Sequence, residues 1–445
     1  MNRKEEYELL MQEIEVTPVR LEYAIQRTEA KVKANRWQRF FGIPIGTGLT
    51  FLLVFTILVN SIPTFAYSCG NIPLIKELAK TVAFSPSLDA AIENKYVQPI
   101  NQEKVINHMK ARIEYLIVDQ KQVNVFYSLE SKDYGEVNIE PEIDDRNGDT
   151  LEGYTLASSS YGMPDGKINY ITIDFVDGEV PEGLTLKIGV YDMKPSYDLP
   201  ISTFTFKLIF DPHYTAQGEK LTIGQSIIID QQKLTLEEVE IYPTHMRIIL
   251  EDEKENAAYL KSMTFYLENE KGERFDKIAN GISATGKIDS PMMNVYRVES
   301  AFFSESKELT LYITEAEWLD KDKQRMKLDL ANTSAESLPE GVTFESAERR
   351  GKSWYLTFSG NQYEENKNYQ IWNGIYYDEQ GKEYEYNGWS TVSGIWSEKE
   401  KKYISKPNTF FVEILLEDYP YDTVYMTPIF SHYIQLENPV AIKIK

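Results

Sequence analysis

The sequence predicts a mainly β protein: tandem β-sandwich domains on one transmembrane helix, with a short α-helical arm on the membrane's other side. Three observations lead there. Residues 40–65, FFGIPIGTGLTFLLVFTILVNSIPTF, hold no charged side chain. At about 1.5 Å per residue, a helix of that length crosses a ~30 Å hydrocarbon core with some tilt. From Ala111 onward apolar and polar residues alternate with a period of two instead of 3.6. The chain holds thirty Tyr and twenty Phe, most of them in those alternating segments, which favours strands.

The flanks orient the span. Trp37, Phe40 and Phe41 at one edge, and Phe65 and Tyr67 at the other, suit the two aromatic belts. Pro63 falls where the outer end should stop, and Pro44, Gly46 and Gly48 allow a bend near the inner end. Arg27, Lys31, Lys33, Arg36 and Arg39 crowd the N-terminal side, whereas the next dozen residues beyond Phe65 offer only Lys76. The positive-inside rule then puts residues 1–39 in the cytoplasm and the chain after the span outside, with the lipid bilayer as partner of residues 40–65. Three other readings fit less well, one of them a buried helix of a soluble protein. A cleaved leader has a short basic start, not 39 residues, although Thr64-Phe65-Ala66 resembles a cleavage site. A lipid-anchored Cys69 lacks the aliphatic–small–small lead-in, since Ala66-Tyr67-Ser68 precedes it.

Charge is unevenly shared. The chain carries −22, yet residues 1–39 hold eight basic and seven acidic side chains. The remainder therefore holds 39 basic and 62 acidic, a net of −23. Such an acidic surface repels nucleic acid, which is excluded as an outer ligand. A single cysteine, Cys69, rules out an intrachain disulfide and a zinc site built on several thiolates.

The arm, residues 1–39, reads as two helices. Tyr7, Leu10, Met11 and Ile14 recur at helical spacing on one face, and Thr17-Pro18 starts a second helix carrying Leu21, Ile25, Thr28 and Val32. So few large apolar side chains cannot bury a core of their own. The stripe needs a partner, the membrane surface or a second copy of itself. Beyond the span, Asn71 with Pro73 starts a short helix bearing Leu74, Leu78 and Val82. Ser85-Pro86 starts another that ends near Asn94. These two lie against the headgroups or pack on the first sheet.

Then come strands. Ile113, Tyr115 and Ile117 pair across the turn Asp119-Gln120-Lys121-Gln122 with Val123, Val125, Tyr127 and Leu129. Others are expected at Ile171–Val176, Leu184–Tyr191 and Thr203–Phe210, with Asn147-Gly148 as a tight turn. Two later stretches repeat the scheme. Phe265-Tyr266-Leu267-Glu268-Asn269-Glu270-Lys271-Gly272-Glu273 lines up with Ile375-Tyr376-Tyr377-Asp378-Glu379-Gln380-Gly381-Lys382-Glu383, and Leu309–Ile313 matches Leu184–Ile188. Met326–Leu330 and Ala441–Lys445 each look like the strand that closes its own unit. The offsets have the length of one β-sandwich. With seams at Thr215–Gly218 and Ala331–Glu336, the domains are 66–215, 216–330 and 331–445.

Little points to chemistry. His108, His213, His245 and His432 are far apart and have no metal-ligand neighbours. Asp144–Asp149 is like a calcium loop, but its sixth position from Asp145 is Thr150 and its twelfth is Leu156, so it reads as an acidic hairpin tip. No Gly-x-Ser-x-Gly elbow, phosphate loop or His-Glu-x-x-His appears, so no enzyme and no cofactor is expected. Trp372, Tyr376, Tyr377, Tyr384, Tyr386, Trp389 and Trp396 could stack on sugars, but cross-strand and core packing accounts for them better.

A family resemblance adds to this. The order is a basic-flanked arm, one span and Ile72-Pro73-Leu74-Ile75-Lys76-Glu77-Leu78. Glu93-Asn94-Lys95-Tyr96-Val97-Gln98-Pro99-Ile100-Asn101-Gln102 and the hairpin around Asp119 follow. That order resembles single-span proteins of Gram-positive spore-forming bacteria with a membrane-proximal extracytoplasmic domain of unknown function. The stretch from Ile223-Gly224-Gln225-Ser226 to Tyr242-Pro243 resembles the immunoglobulin-like domain that often follows in them. The resemblance covers roughly residues 40–330 and implies an anti-sigma-factor-like signalling role. Such proteins are commonly encoded beside an extracytoplasmic-function sigma factor and thought to hold it at the membrane. On that implication Tyr7, Leu10, Met11, Ile14, Leu21 and Ile25 bind a cytoplasmic sigma factor by the helix-in-groove mode. An extracytoplasmic ligand or protease would trigger release. The His and Cys-x-x-Cys of zinc-binding anti-sigma factors are absent, so no metal is implied. The alternative is a cell-surface adhesion or cell-wall-binding protein with an inert arm.

Overall fold

The computed structural model describes residues 78–445 except 160, 194–198, 287–290, 362–369, 387–388, 393–394, 398–401 and 405–407. The arm, with Tyr7, Leu10, Met11, Ile14, Leu21 and Ile25, and the expected span 40–65 lie outside the described residues. Among those described, no helix is long and apolar enough to cross a membrane.

The described chain is mainly β, in antiparallel sheets that pack as pairs. Alternation explains why. In the first pair, strands Gln98–Ile106, Met109–Asp119, Gln122–Glu130, Asp165–Phe175 and Tyr154–Ser158 lie side by side in that order. They face a sheet of Tyr161–Gly162, Val137–Asp145, Gly183–Asp192 and Ser202–Ile209. One set of alternating residues from each sheet fills the core. Ile113, Leu116, Val125 and Ile173 meet Leu186, Ile188, Phe204 and Phe206, all fully buried. The turn at 119–122 is held by Asp119 Oδ1, which accepts from Lys121 N (2.9 Å) and Gln122 N (2.8 Å). Side chains blunt the exposed edges. Gln98 Nε2 donates to Ile209 O at 2.9 Å, and Asn107 Nδ2 to Ile201 O at 2.6 Å. At the acidic tip, Asp145 Oδ1 accepts from the N–H groups of Asn147, Gly148 and Asp149. Those bonds, Asp149's foremost, hold its carboxyl below the usual range.

The middle pair packs a sheet of Glu219–Ile229, Gln232–Ile241, Met246–Asp252, Met293–Val298 and Ala284–Gly286 against a second one. That second sheet runs Arg274–Phe275, Ala258–Asn269, Leu309–Asp320 and His432–Lys443. Its last strand corrects the sequence reading. The C-terminus does not close a third domain over 331–445; it returns to the middle one, with Leu311 opposite Ile442 and Ile313 opposite Val440. Met326–Asp329, expected to close the middle unit, instead pairs with Thr423–Pro428 in the third. The third pair of sheets, built from strands between Met326 and Pro428, is therefore inserted between Asp320 and His432. Period-two alternation shows that a strand is half-buried; it carries no information about which sheet edge receives it.

The two stretches aligned in the sequence share a turn, one residue out of phase with that alignment. Asn269 Oδ1 accepts from Lys271 N and Glu273 N, and Asp378 Oδ1 from Gln380 N and Lys382 N. Gly272 (φ 76) and Gly381 (φ 80) supply the left-handed residue of each turn. Asn269 thus matches Asp378, and Leu267 matches Tyr376, both in their cores.

Candidate functional site

A sandwich normally turns its second set of alternating residues to water. On the first sheet that outer face is buried. Register places Tyr115, Phe126 and Tyr170 in one row and Ile117, Asn124 and Thr172 in the next. Asp119, Gln122 and Asp174 end the strands beyond them. Apart from half-buried Tyr170, all are fully buried. The apolar row and the ionic row have different covers.

A helical segment lies against the apolar side. Ser85 caps helix α1 (Pro86–Glu93), and Pro86 occupies its first turn, where a missing N–H costs nothing. Leu88, Ala91 and Ile92, at i, i+3 and i+4, are buried, as are Leu78 and Val82 before them. Phe84 stacks on Tyr170 with centroids 4.9 Å apart, and Tyr96 meets Phe303 of the middle sandwich edge-on. Of the two positions expected for these turns, against the headgroups or on the first sheet, this contact is of the second kind.

The middle sandwich covers the ionic end. Arg297 forks onto Asp174, with Nε to Oδ2 at 2.7 Å and Nη2 to Oδ1 at 2.5 Å, both residues fully buried. Thr244 N (3.1 Å) and Oγ1 (2.6 Å) donate to Asp119 Oδ2. His245 sits between the two carboxylates, Nδ1 3.8 Å from Asp119 and Nε2 3.7 Å from Asp174. Polar side chains of the first sheet complete the network. Thr172 donates to Asn124, Asn124 to Gln122, and Gln122 to Asp174 Oδ2, while Asn280 of the middle sandwich reaches Gln122 Oε1. Gly281 (φ 92) comes so near Ala157 that a Cβ there would stand 2.8 Å from the alanine methyl.

Burial pushes the His245 imidazole below its ordinary value, outweighing the pull of Asp119 and Asp174, so the ring is neutral near pH 7. For Asp174 burial works to raise the carboxyl, but the hydrogen bond and charge of Arg297 prevail and hold it below the usual range. Both shifts make the junction acid-sensitive. As pH falls through the ordinary imidazole value of 6.5, the unfolded chain takes up a proton that folded His245 refuses. Stability is full above that point and is lost toward the depressed folded value. Asp174 adds a second loss below its ordinary 3.8. The His245 contribution to the urea midpoint should therefore fall between about pH 7 and about pH 5, against the opposite trend of Glu299, whose carboxyl burial pushes up, and it should be missing from His245→Asn, where no imidazole titrates. An unchanged slope in that variant would exclude His245 as the source.

The arrangement joins the first and middle sandwiches through buried polar contacts. Thr244, His245 and Asp119 lie within reach of one another but are sealed from solvent. In the sequence His245 is one of four scattered histidines, Asp119 reads only as a turn residue, and nothing marks Asp174. Elsewhere, His432 bridges Asp230 (2.8 Å) and Asp320 (3.4 Å) at the root of the third sandwich, and His108 and His213 are exposed. Trp372, Tyr376 and Tyr386 are buried in the third core, in line with the packing account of that aromatic run.

Residues 39–131 match the model of a domain of unknown function, DUF4179, and residues 218–345 that of a family of unknown function, DUF5643. The two matched segments meet at the junction: helix α1 and Asp119 lie in the first, His245, Arg297 and Glu299 in the second. No curated protein matches the chain. Among solved structures, the crystal structure of the conserved domain protein from Bacillus anthracis is similar at 15% identity and a TM-score of 0.39, covering 51% of this chain and 79% of that one.

Proposed function

We propose that the chain is a single-span, membrane-anchored signalling regulator of the anti-sigma-factor type, without enzymatic activity. The carrying observation is the match of residues 39–131 to DUF4179, a domain type generally associated with anti-sigma factors. That match runs from the apolar stretch 40–65 through helix α1 into the first hairpin. The charge asymmetry across the expected span and the apolar spacing of Tyr7, Leu10, Met11, Ile14, Leu21 and Ile25 support the same reading. The immunoglobulin-like middle domain would then face an extracytoplasmic ligand or protease while the arm sequesters a sigma factor.

The test uses the full chain extracted in detergent. The membrane fraction should contain it, and a sigma factor of the extracytoplasmic-function class should co-purify. A Leu10→Asp substitution, which puts a charge into the apolar stripe, should abolish that co-purification. Recovery of the chain in the supernatant without detergent would overturn the anchor. Membrane recovery with no sigma factor, together with sedimentation of the chain on purified cell wall, would favour the adhesion reading instead.

A further inference from the structure

Helix α1 precedes the first sandwich in the chain, yet its N-terminus is completed by the middle one. Of its first-turn positions, Pro86 has no N–H, and Leu88 N reaches Ser85 Oγ at a long 3.4 Å. Ser87 N finds no partner within the helix and donates at 2.8 Å to Glu299 Oε2, 212 residues away. The same oxygen accepts from Ser85 Oγ (3.0 Å) and Ser87 Oγ (2.5 Å), and Ser300 N donates back to Ser87 Oγ (2.5 Å). Ser85, Ser87 and Glu299 are all buried. A carboxylate here satisfies an orphan N–H and lies at the positive end of the helix dipole. Burial pushes the Glu299 carboxyl above its ordinary value, and the bonds from Ser87 and Ser85 pull it part of the way back. Phe84 on Tyr170 and Tyr96 on Phe303 fix the two ends of the segment to different sandwiches.

We infer that residues 78–96 form a strap clamped by Glu299, so that the seating of the middle sandwich controls whether the chain entering the first one is ordered. An event that lifts the Glu299–Phe303 segment off this junction frees the strap without unfolding either core. The strap stands on the described residues alone. Only its use as a relay to residues 1–77 rests on the membrane-anchored reading, and the experiment below measures the strap and not signalling, so the two can fail separately.

The experiment is amide hydrogen exchange on the full chain in detergent. In Glu299→Ala, amides 87–94 should exchange about tenfold faster or more, as expected for losing charge-assisted bonds. Amides of Leu116 and Ile173 in the first core should keep their rates. Ser87→Ala, which keeps the backbone donor, should give a smaller gain at the same amides. Strap rates unchanged in Glu299→Ala would overturn the inference. Should that variant also lose protection at Leu250 and Leu311, the middle core has been disturbed and Glu299→Gln carries the test. Faster exchange confined to 87–94 supports the clamp, and none overturns it.

Discussion

Arg297→Met should cost about 3–5 kcal/mol, because it strands the Asp174 carboxylate in a dry junction. Methionine keeps much of the volume and removes the fork of bonds that Asp174 accepts through both oxygens. Gln122 remains as a hydrogen-bond partner, but one amide cannot offset a buried charge. Asp174 belongs to the first sandwich and Arg297 to the middle one, so the loss falls on their contact. Calorimetry should show the first and middle sandwiches of this variant unfolding at more widely separated temperatures than in the parent. The double variant Arg297→Met, Asp174→Leu should recover most of the loss, since a buried pair replaced by apolar groups of similar size is often neutral. Removing the guanidinium also removes a positive neighbour that lowers the His245 pKa, so acid sensitivity near neutral pH should weaken. A cost within about 1 kcal/mol, typical of exposed pairs, would mean that water reaches the junction.

Local rules made much of the fold legible. Ser85-Pro86 marked the start of helix α1 because cap chemistry depends on neighbouring residues only. Asp119-Gln120-Lys121-Gln122 marked a turn because the aspartate bonds to N–H groups two and three residues ahead. The repeated turns at Asn269 and Asp378 were visible for the same reason. The junction was not. Gln122, Asn124, Thr172 and Asp174 occupy alternate positions opposite the core, and polar residues there look identical whether water or a second domain covers them. What distinguishes the two cases is a complementary set of groups on another domain, and Arg297 and Glu299 lie more than a hundred residues away. Ser87 illustrates the limit: its identity suits any helix start, and only the arrival of Glu299 gives it a partner. The candidate site is a property of pairing between distant segments, to which periodicity is blind.

Ending the chain at Ser431 should unfold the middle sandwich and spare the third, the reverse of what a third domain over 331–445 would give. The strand His432–Lys443 lies along Leu309–Asp320 for most of its length. Ile442 and Ile444 enter the middle core, and Ile434, Leu436 and Val440 pack against it. Two fully buried isoleucines contribute about 1.5–3 kcal/mol each. Adding the partly buried three and the pairing that Leu309–Asp320 loses along one side brings the loss close to the whole stability of an ordinary domain, about 5–15 kcal/mol. Truncation also removes His432 from between Asp230 and Asp320, leaving the inserted domain on one connection. The third sandwich keeps its own closing strand, Met326–Asp329 on Thr423–Pro428, with Leu328, Val424 and Met426 in its core. Amide exchange separates the outcomes. Protection should vanish at Leu250 and Leu311 and persist at Leu356 and Ile414. Loss at the latter pair with the former intact would show that the C-terminal strand closes the third domain after all.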